Sequence, residues 1–182
     1  INHTVREDLQ DTMQKGSRIS IAAACFSIYA YQELKKQLED IAELRFVFTS
    51  PTFVQENTPK ERREFYIPKL TREKSLYGTE FEVRLRNELT QKALAKECAD
   101  WVRRKVKFRS NVSGEQMPGF MTVGESSYMP ISGFTTVDLG CERGNNAYYP
   151  VQRTEAFENG RYFLSLFDEI WNDSSRLQDV TD

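Results

Sequence analysis

Histidine occurs once in the 182 residues, at His3, and cysteine three times, at Cys25, Cys98 and Cys141. A lone imidazole beside the chain start has no neighbours with which to form a zinc site, which takes three or four protein ligands, or a nucleophile with its base. The three thiols are too far apart for a metal knuckle and too odd in number for a secreted disulfide framework, so a reducing, cytoplasmic setting is expected. Cys25, at the end of an apolar run, reads as a small buried hydrophobe. No apolar run approaches the roughly 20 residues that a helix needs to cross a bilayer. The opening INHTVREDLQ also lacks the apolar stretch of a signal peptide, so no membrane partner is expected. Glycine-rich phosphate loops are missing too: there is no GxxxxGK[ST], and no GxGxxG follows the first apolar run, so ATP hydrolysis is not expected of these residues. Asp138, Glu142, Glu155, Glu158, Asp168 and Glu169 do not fall into calcium-loop spacing and read as acidic surface rather than metal ligands.

What is present suffices for a core. Hydrophobic residues make up 39%, charged residues 29% and aromatics 12%, which places the chain among folding sequences of single-domain length, read as one domain over 1–182. The net charge of −2, from 25 basic and 27 acidic side chains, hides an asymmetry. Residues 1–137 hold 21 basic and 18 acidic side chains, or +3, and residues 138–182 hold 4 and 9, or −5, so a polyanion would meet the first part. Beginning with Ile1 and ending in RLQDVTD, the chain is expected to be a fragment of a longer protein.

Hydrophobic periodicity orders the elements. Thr4 and Glu7 have capping-box spacing ahead of Val5, Leu9 and Met13, predicting a short helix closed by Gly16 at C′. RISIAAACF, from Arg18 to Phe26, reads as a strand buried on both faces. A helix from Tyr31 to Glu43, with Leu34, Leu38 and Ile41 on one stripe, then leads to a second strand, LRFVFTS. Strand, helix, strand makes the pair parallel and the fold class α/β, with a mixed sheet containing crossover-linked parallel strands flanked by helices. Residues 52–76 form a long excursion without a clean period. A helix resumes near Phe81, passes through Leu94, Cys98 and Trp101, and gives way to a basic strand, Val106 to Arg109. GFMTV and SYMPISGF, separated by Gly124-Glu125, predict a hairpin. Val151 to Asn172 predicts a C-terminal helix that covers the sheet, weakened at Gly160.

The succession GSRISIAAACFSIYAYQELKKQLEDI, LRFVFTS, a long insertion, ALAKECADWVRRKV, a basic strand, a hairpin and a helix ending FDEIW resembles the phospholipase-D-like domain. In particular it resembles the version at the N-terminus of bacterial Swi/Snf-type and related superfamily II DNA helicases. Members that cleave phosphodiesters carry His-x-Lys-x-x-x-x-Asp and a Gly-Ser-x-Asn stretch, because a histidine must attack phosphorus while lysine and asparagine hold the phosphoryl oxygens. Here the His-x-Lys place falls on Pro118-Gly119-Phe120, and Pro130-Ile131-Ser132-Gly133-Phe134-Thr135 stands where Gly-Ser-x-Asn belongs. Glu125 stands near the acid's place. The resemblance therefore implies a degenerate, non-catalytic accessory domain that contacts nucleic acid or mediates self-association as a homodimer. ATP and Mg would belong only to the parent helicase, with no cofactor in this domain.

The residues expected to contact nucleic acid are Arg103, Arg104, Lys105, Lys107 and Arg109, five cations in ten residues with no acid among them, joined by Arg62 and Arg63 in the excursion. Lys60, Lys69, Arg72 and Lys74 extend that second group, but Glu61, Glu64 and Glu73 interleave with it as on an ordinary solvated face. Tyr66, Trp101 or Phe108 would supply either base stacking or core contacts. The competing expectation is a phosphodiesterase or nuclease with an unconventional site, in which folding brings Glu125 and Ser132 together with His3 or Lys107.

Overall fold

The computed structural model describes residues 3–50, 54–55, 65–66, 88–142, 150–155 and 157–181. The first helix, α1 (Val5–Thr12), begins as the sequence predicts. The Glu7 N–H donates to Thr4 Oγ1 at 3.2 Å while the Thr4 N–H donates to Glu7 Oε2 at 2.9 Å, a complete capping box. It ends earlier than expected, with Met13 as C-cap; Gly16 instead takes φ +81° in the turn before the first strand.

Strand β1 (Arg18–Ala23) is buried from Ile19 onward on both faces. It stops three residues short of the expected end because Ser27 caps the next helix, α2 (Ile28–Asp40), its Oγ accepting from the Tyr29 N–H at 3.1 Å. Glu43, expected in that helix, opens β2 (Glu43–Phe48), which runs parallel to β1 with Ile21 opposite Phe46. Val54–Gln55 (β3) and Phe65–Tyr66 (β4) pair antiparallel; the rest of the excursion, with Arg62 and Arg63, lies outside the described residues. Helix α3 (Glu88–Lys105) passes directly into β5 (Val106–Asn111), which is parallel to β2 and two residues longer than expected.

The hairpin forms as predicted. β6 (Phe120–Val123) and β7 (Ser126–Met129) flank a two-residue turn in which Gly124 has φ +57°, a conformation open to glycine at little cost. A short edge strand, β8 (Gln152–Thr154), occupies the start of the expected C-terminal helix, which runs instead as α4 (Phe157–Asn172). A last strand, β9 (Leu177–Asp179), pairs with β5. Three residues are too few to carry a period, and tertiary pairing decides both edge strands.

The fold is therefore mixed α/β: a seven-stranded sheet in the order β8-β7-β6-β1-β2-β5-β9, parallel at its centre and antiparallel towards both edges. Strand alternation divides the core. Ile19, Ile21, Leu44, Phe46, Met121 and Val123 face one side and pack with Leu9, Leu34, Leu38, Leu94 and Trp101 from α1, α2 and α3. Ala22, Val47 and Phe120 face the other side and meet Phe167 and Trp171 of α4. Phe26 is no strand residue but a hub, with its ring 5.6 Å from Phe46, 5.5 Å from Phe108 and 5.5 Å from Phe134. Trp101 is fully buried, has its ring 5.0 Å from that of Tyr31 in a tilted arrangement and donates its indole N–H to the Leu38 carbonyl at 2.9 Å, so it is core rather than a base-stacking platform.

Candidate functional site

Parallel strands converge their carboxyl ends on one side of a sheet, where α/β proteins hold ligands. Here those ends are Ala23, Phe48 and Asn111. Residues 130–135 cross in front of β1, tied by the Ala24 N–H to the Ser132 carbonyl, the Phe134 N–H to the Cys25 carbonyl and the Ser27 N–H to the Phe134 carbonyl, each at 2.8 Å. On the other flank Asn111, fully buried, makes four bonds. Its Nδ2 donates to the Thr49 carbonyl at 2.9 Å and the Glu115 carbonyl at 2.7 Å, and its Oδ1 accepts from the Ser113 N–H at 3.0 Å and the Ser113 hydroxyl at 2.7 Å. Asn111 thus fixes the loop leading to Pro118 against the end of β2.

The positions onto which the resemblance maps the phosphodiester-cleaving motif hold no histidine or lysine, and two of them, Gly119 and Phe120, are closely packed. Pro118 is exposed and offers neither donor nor base. Gly119 lies so close to the returning chain that a Cβ there would stand 1.9 Å from the Ile131 carbonyl oxygen; its own carbonyl accepts from the Ile131 N–H at 2.9 Å. Phe120 points under α4, its ring 5.9 Å from Phe163 and 6.1 Å from Phe167, with no exposure. Gly133 is equally confined, since a Cβ would come 2.7 Å from Cys25 Sγ. Thr135 is buried, its hydroxyl donating to Asp138 Oδ2 at 2.6 Å, while Ser132 is exposed.

The residues of the alternative enzyme site do not come together. Glu125 sits in the hairpin turn beside the start of β1, where the Gly124 N–H meets the Arg18 carbonyl, and faces Arg161 at 3.8 Å. Ser132 lies past the opposite end of β1, about 20 Å of strand away at roughly 3.3 Å per residue. His3 is exposed and stands 3.8 Å from Glu7 at the head of α1. Lys107 faces the α4 side of the sheet, opposite Arg45.

Two of the three thiols are held in the neutral form by burial. Burial pushes the Cys98 thiol up to about 12. Burial, with Glu33 nearby, raises that of Cys141, and none of the three cysteines is bridged. Cys25 is half-buried rather than sealed in the core. Among the described residues no group of three or more His, Cys, Asp or Glu is arranged to hold a metal ion, and no helix is long and apolar enough to cross a membrane.

The five-cation segment divides between two layers. Arg103 donates to Asp100 at 2.8 Å, Arg104 to Glu39 at 3.2 Å and Lys105 to the Ile41 carbonyl at 2.8 Å, all at the carboxyl end of α3, where positive charge suits the helix dipole. Lys107 is exposed on the other face of the sheet. Arg109 is committed to packing: its guanidinium lies 4.2 Å over the Trp171 ring and donates to the Trp171 carbonyl.

Two polar assemblies lie outside the site residues that the sequence singles out. Arg45, the single cation of the apolar strand β2, pairs with Asp168 at 2.7 Å and lies 5.0 Å over Phe167, so the FDEIW segment grips the sheet through its Phe, Asp and Trp. The buried Tyr128 hydroxyl donates to Asp8 Oδ2 at 2.6 Å, and Arg153 meets Asp8 Oδ1 at 2.7 Å, tying α1 to the β8 edge. A cation inside an apolar strand is the one sequence cue to the first; the second joins residues 145 apart and has none. No family model matches the chain, and no curated protein matches it.

Proposed function

We propose that this chain is a non-catalytic, phospholipase-D-like accessory domain of a DNA helicase, and that it contacts the nucleic-acid backbone through the carboxyl end of α3. The observation that carries the reading is the filling of the His-x-Lys place: a ring at Pro118, a glycine pressed against the Ile131 carbonyl and a phenyl group buried under α4. None of these attacks or clamps phosphorus. The contact is assigned to Arg103 and Arg104, whose side chains are 74% and 56% exposed. Their ion pairs with Asp100 and Glu39 do not block it, because exposed pairs are worth at most about 1 kcal/mol and a phosphate can replace either partner. ATP and Mg belong, in this reading, to the motor of the parent protein.

The test is binding of the chain to single- and double-stranded DNA at two salt concentrations. Affinity at low salt that falls as salt rises is expected, and Arg103→Ala with Arg104→Ala should reduce the slope of log K against log salt by about 2, close to one per cation. Absence of binding at low salt, or a slope unmoved by the double substitution, overturns the assignment. Self-association, the other role implied by the resemblance, is read in the same samples from their sedimentation.

A further inference from the structure

A row of hydroxyls lies hidden beneath α4. Alternation sends Ser20, Thr122 and Ser127 to the same sheet face as Ala22 and Phe120, and the register sets Ser20 opposite Thr122 and Thr122 opposite Ser127 across β1, β6 and β7. All three are sealed, at 2%, 1% and 1% exposure. Ser20 Oγ accepts from Arg45 Nη2 at 3.1 Å, and Arg45 in turn holds Asp168 of α4. Among the described residues, Thr122 Oγ1 and Ser127 Oγ have no hydrogen-bond partner.

Two neighbouring, fully buried hydroxyls without partners break the rule that buried polar groups are satisfied. Their geometry suggests what satisfies them. The two-residue turn closes on the Val123–Ser126 pair, so Thr122 and Ser127 form the next, non-hydrogen-bonded pair, in which side chains on one face approach most closely. The two hydroxyls make no bond to each other, and Cβ atoms in such pairs lie about 4.5–5.5 Å apart, a spacing that one bridging molecule can span. A buried water needs two to four polar partners, and the facing Thr122 and Ser127 hydroxyls supply two.

We infer that the sheet binds one internal water beneath α4, held by Thr122 Oγ1 and Ser127 Oγ. It lies beside the row formed by Ser20, Arg45 and Asp168, so the helix is seated on a polar stripe as well as on its aromatic contacts. The inference does not depend on any nucleic-acid role. Thr122→Val tests it, because valine keeps the shape of threonine and removes only the hydroxyl. If the water is bound, the substitution strands it and lowers the urea midpoint, Thr122→Ser stays near the parent, and Thr122→Val with Ser127→Ala loses less than the sum of the two singles. If the hydroxyls are dry, Thr122→Val leaves the midpoint unchanged or raises it, which overturns the inference. The direct readout is a high-resolution crystal structure of the unmodified chain. A density peak within about 2.6–3.2 Å of both hydroxyls supports the site, and its absence refutes it.

Discussion

Replacing Phe120 by lysine would put back the cation that phosphodiester-cleaving members of the resembled family carry at that place, and the surroundings of Phe120 dictate that the domain will not tolerate it. The ring has no exposure, packs with Ala22, Val47 and Trp171, and meets Phe163 and Phe167 at 5.9 and 6.1 Å. Withdrawing the ring forfeits roughly 2–3 kcal/mol of burial with a further cavity cost, and about 0.5–1.5 kcal/mol of aromatic pairing. An ammonium group left in its place adds several kcal/mol more, because the described neighbours of Phe120 are apolar. The sum, above about 5 kcal/mol, is comparable with the whole stability of an ordinary domain, about 5–15 kcal/mol. Urea denaturation followed by far-ultraviolet circular dichroism should find Phe120→Lys largely unfolded, and Phe120→Leu, which keeps most of the apolar volume, destabilised by about 1 kcal/mol. A Phe120→Lys protein that folds within about 1 kcal/mol of the parent would show that this side chain faces an open, hydrated pocket and would contradict the packing described at this place.

Asn111→Ala removes four hydrogen bonds and leaves two carbonyls and an N–H unpartnered at the end of β2; a loss of about 2–4 kcal/mol is expected in the same urea titration. Gly119→Ala drives a methyl group into the Ile131 carbonyl and should cost about 1–3 kcal/mol, with the Ile131 amide losing hydrogen-exchange protection. Acid should loosen the β9 edge. The backbone N–H of Thr181 holds Asp179 below the ordinary aspartate value of 3.8, and a hydroxyl donated by Ser175 does the same for Asp173. A depressed folded-state value gives stability that is present above the unfolded value and is lost as pH falls through the folded one, so unfolding midpoints should decline below about pH 4 and stay flat just above it.

The central architecture was legible because its signals are local and periodic. Thr4 and Glu7 announce α1, the apolar RISIAA run announces a strand buried on both faces, and the two-fold alternation of Leu44, Phe46 and Phe48 announces its parallel neighbour. Boundaries moved where a single side chain decides them: Ser27 starts α2 before the apolar stripe does, and Met13 closes α1 ahead of the glycine. The edge strands β8 and β9 were hidden because three residues carry no period and take their form from β7 and β5. The basic segment read as one group, yet a helix-to-strand junction at Lys105 turns Arg103 and Arg104 into one layer and Lys107 and Arg109 into another. Contacts such as Tyr128 with Asp8, or Arg45 with Asp168, join residues over a hundred positions apart and leave no mark on sequence spacing.

The most direct measurement is incubation of the chain with end-labelled single- and double-stranded DNA, with and without added divalent metal, at a salt concentration where binding has been established. Retained complexes and uncut strands are expected throughout. Cleavage that persists after separate removal of contaminating nucleases, and that disappears on substitution of a residue at the carboxyl ends of β1, β2 and β5, would contradict it.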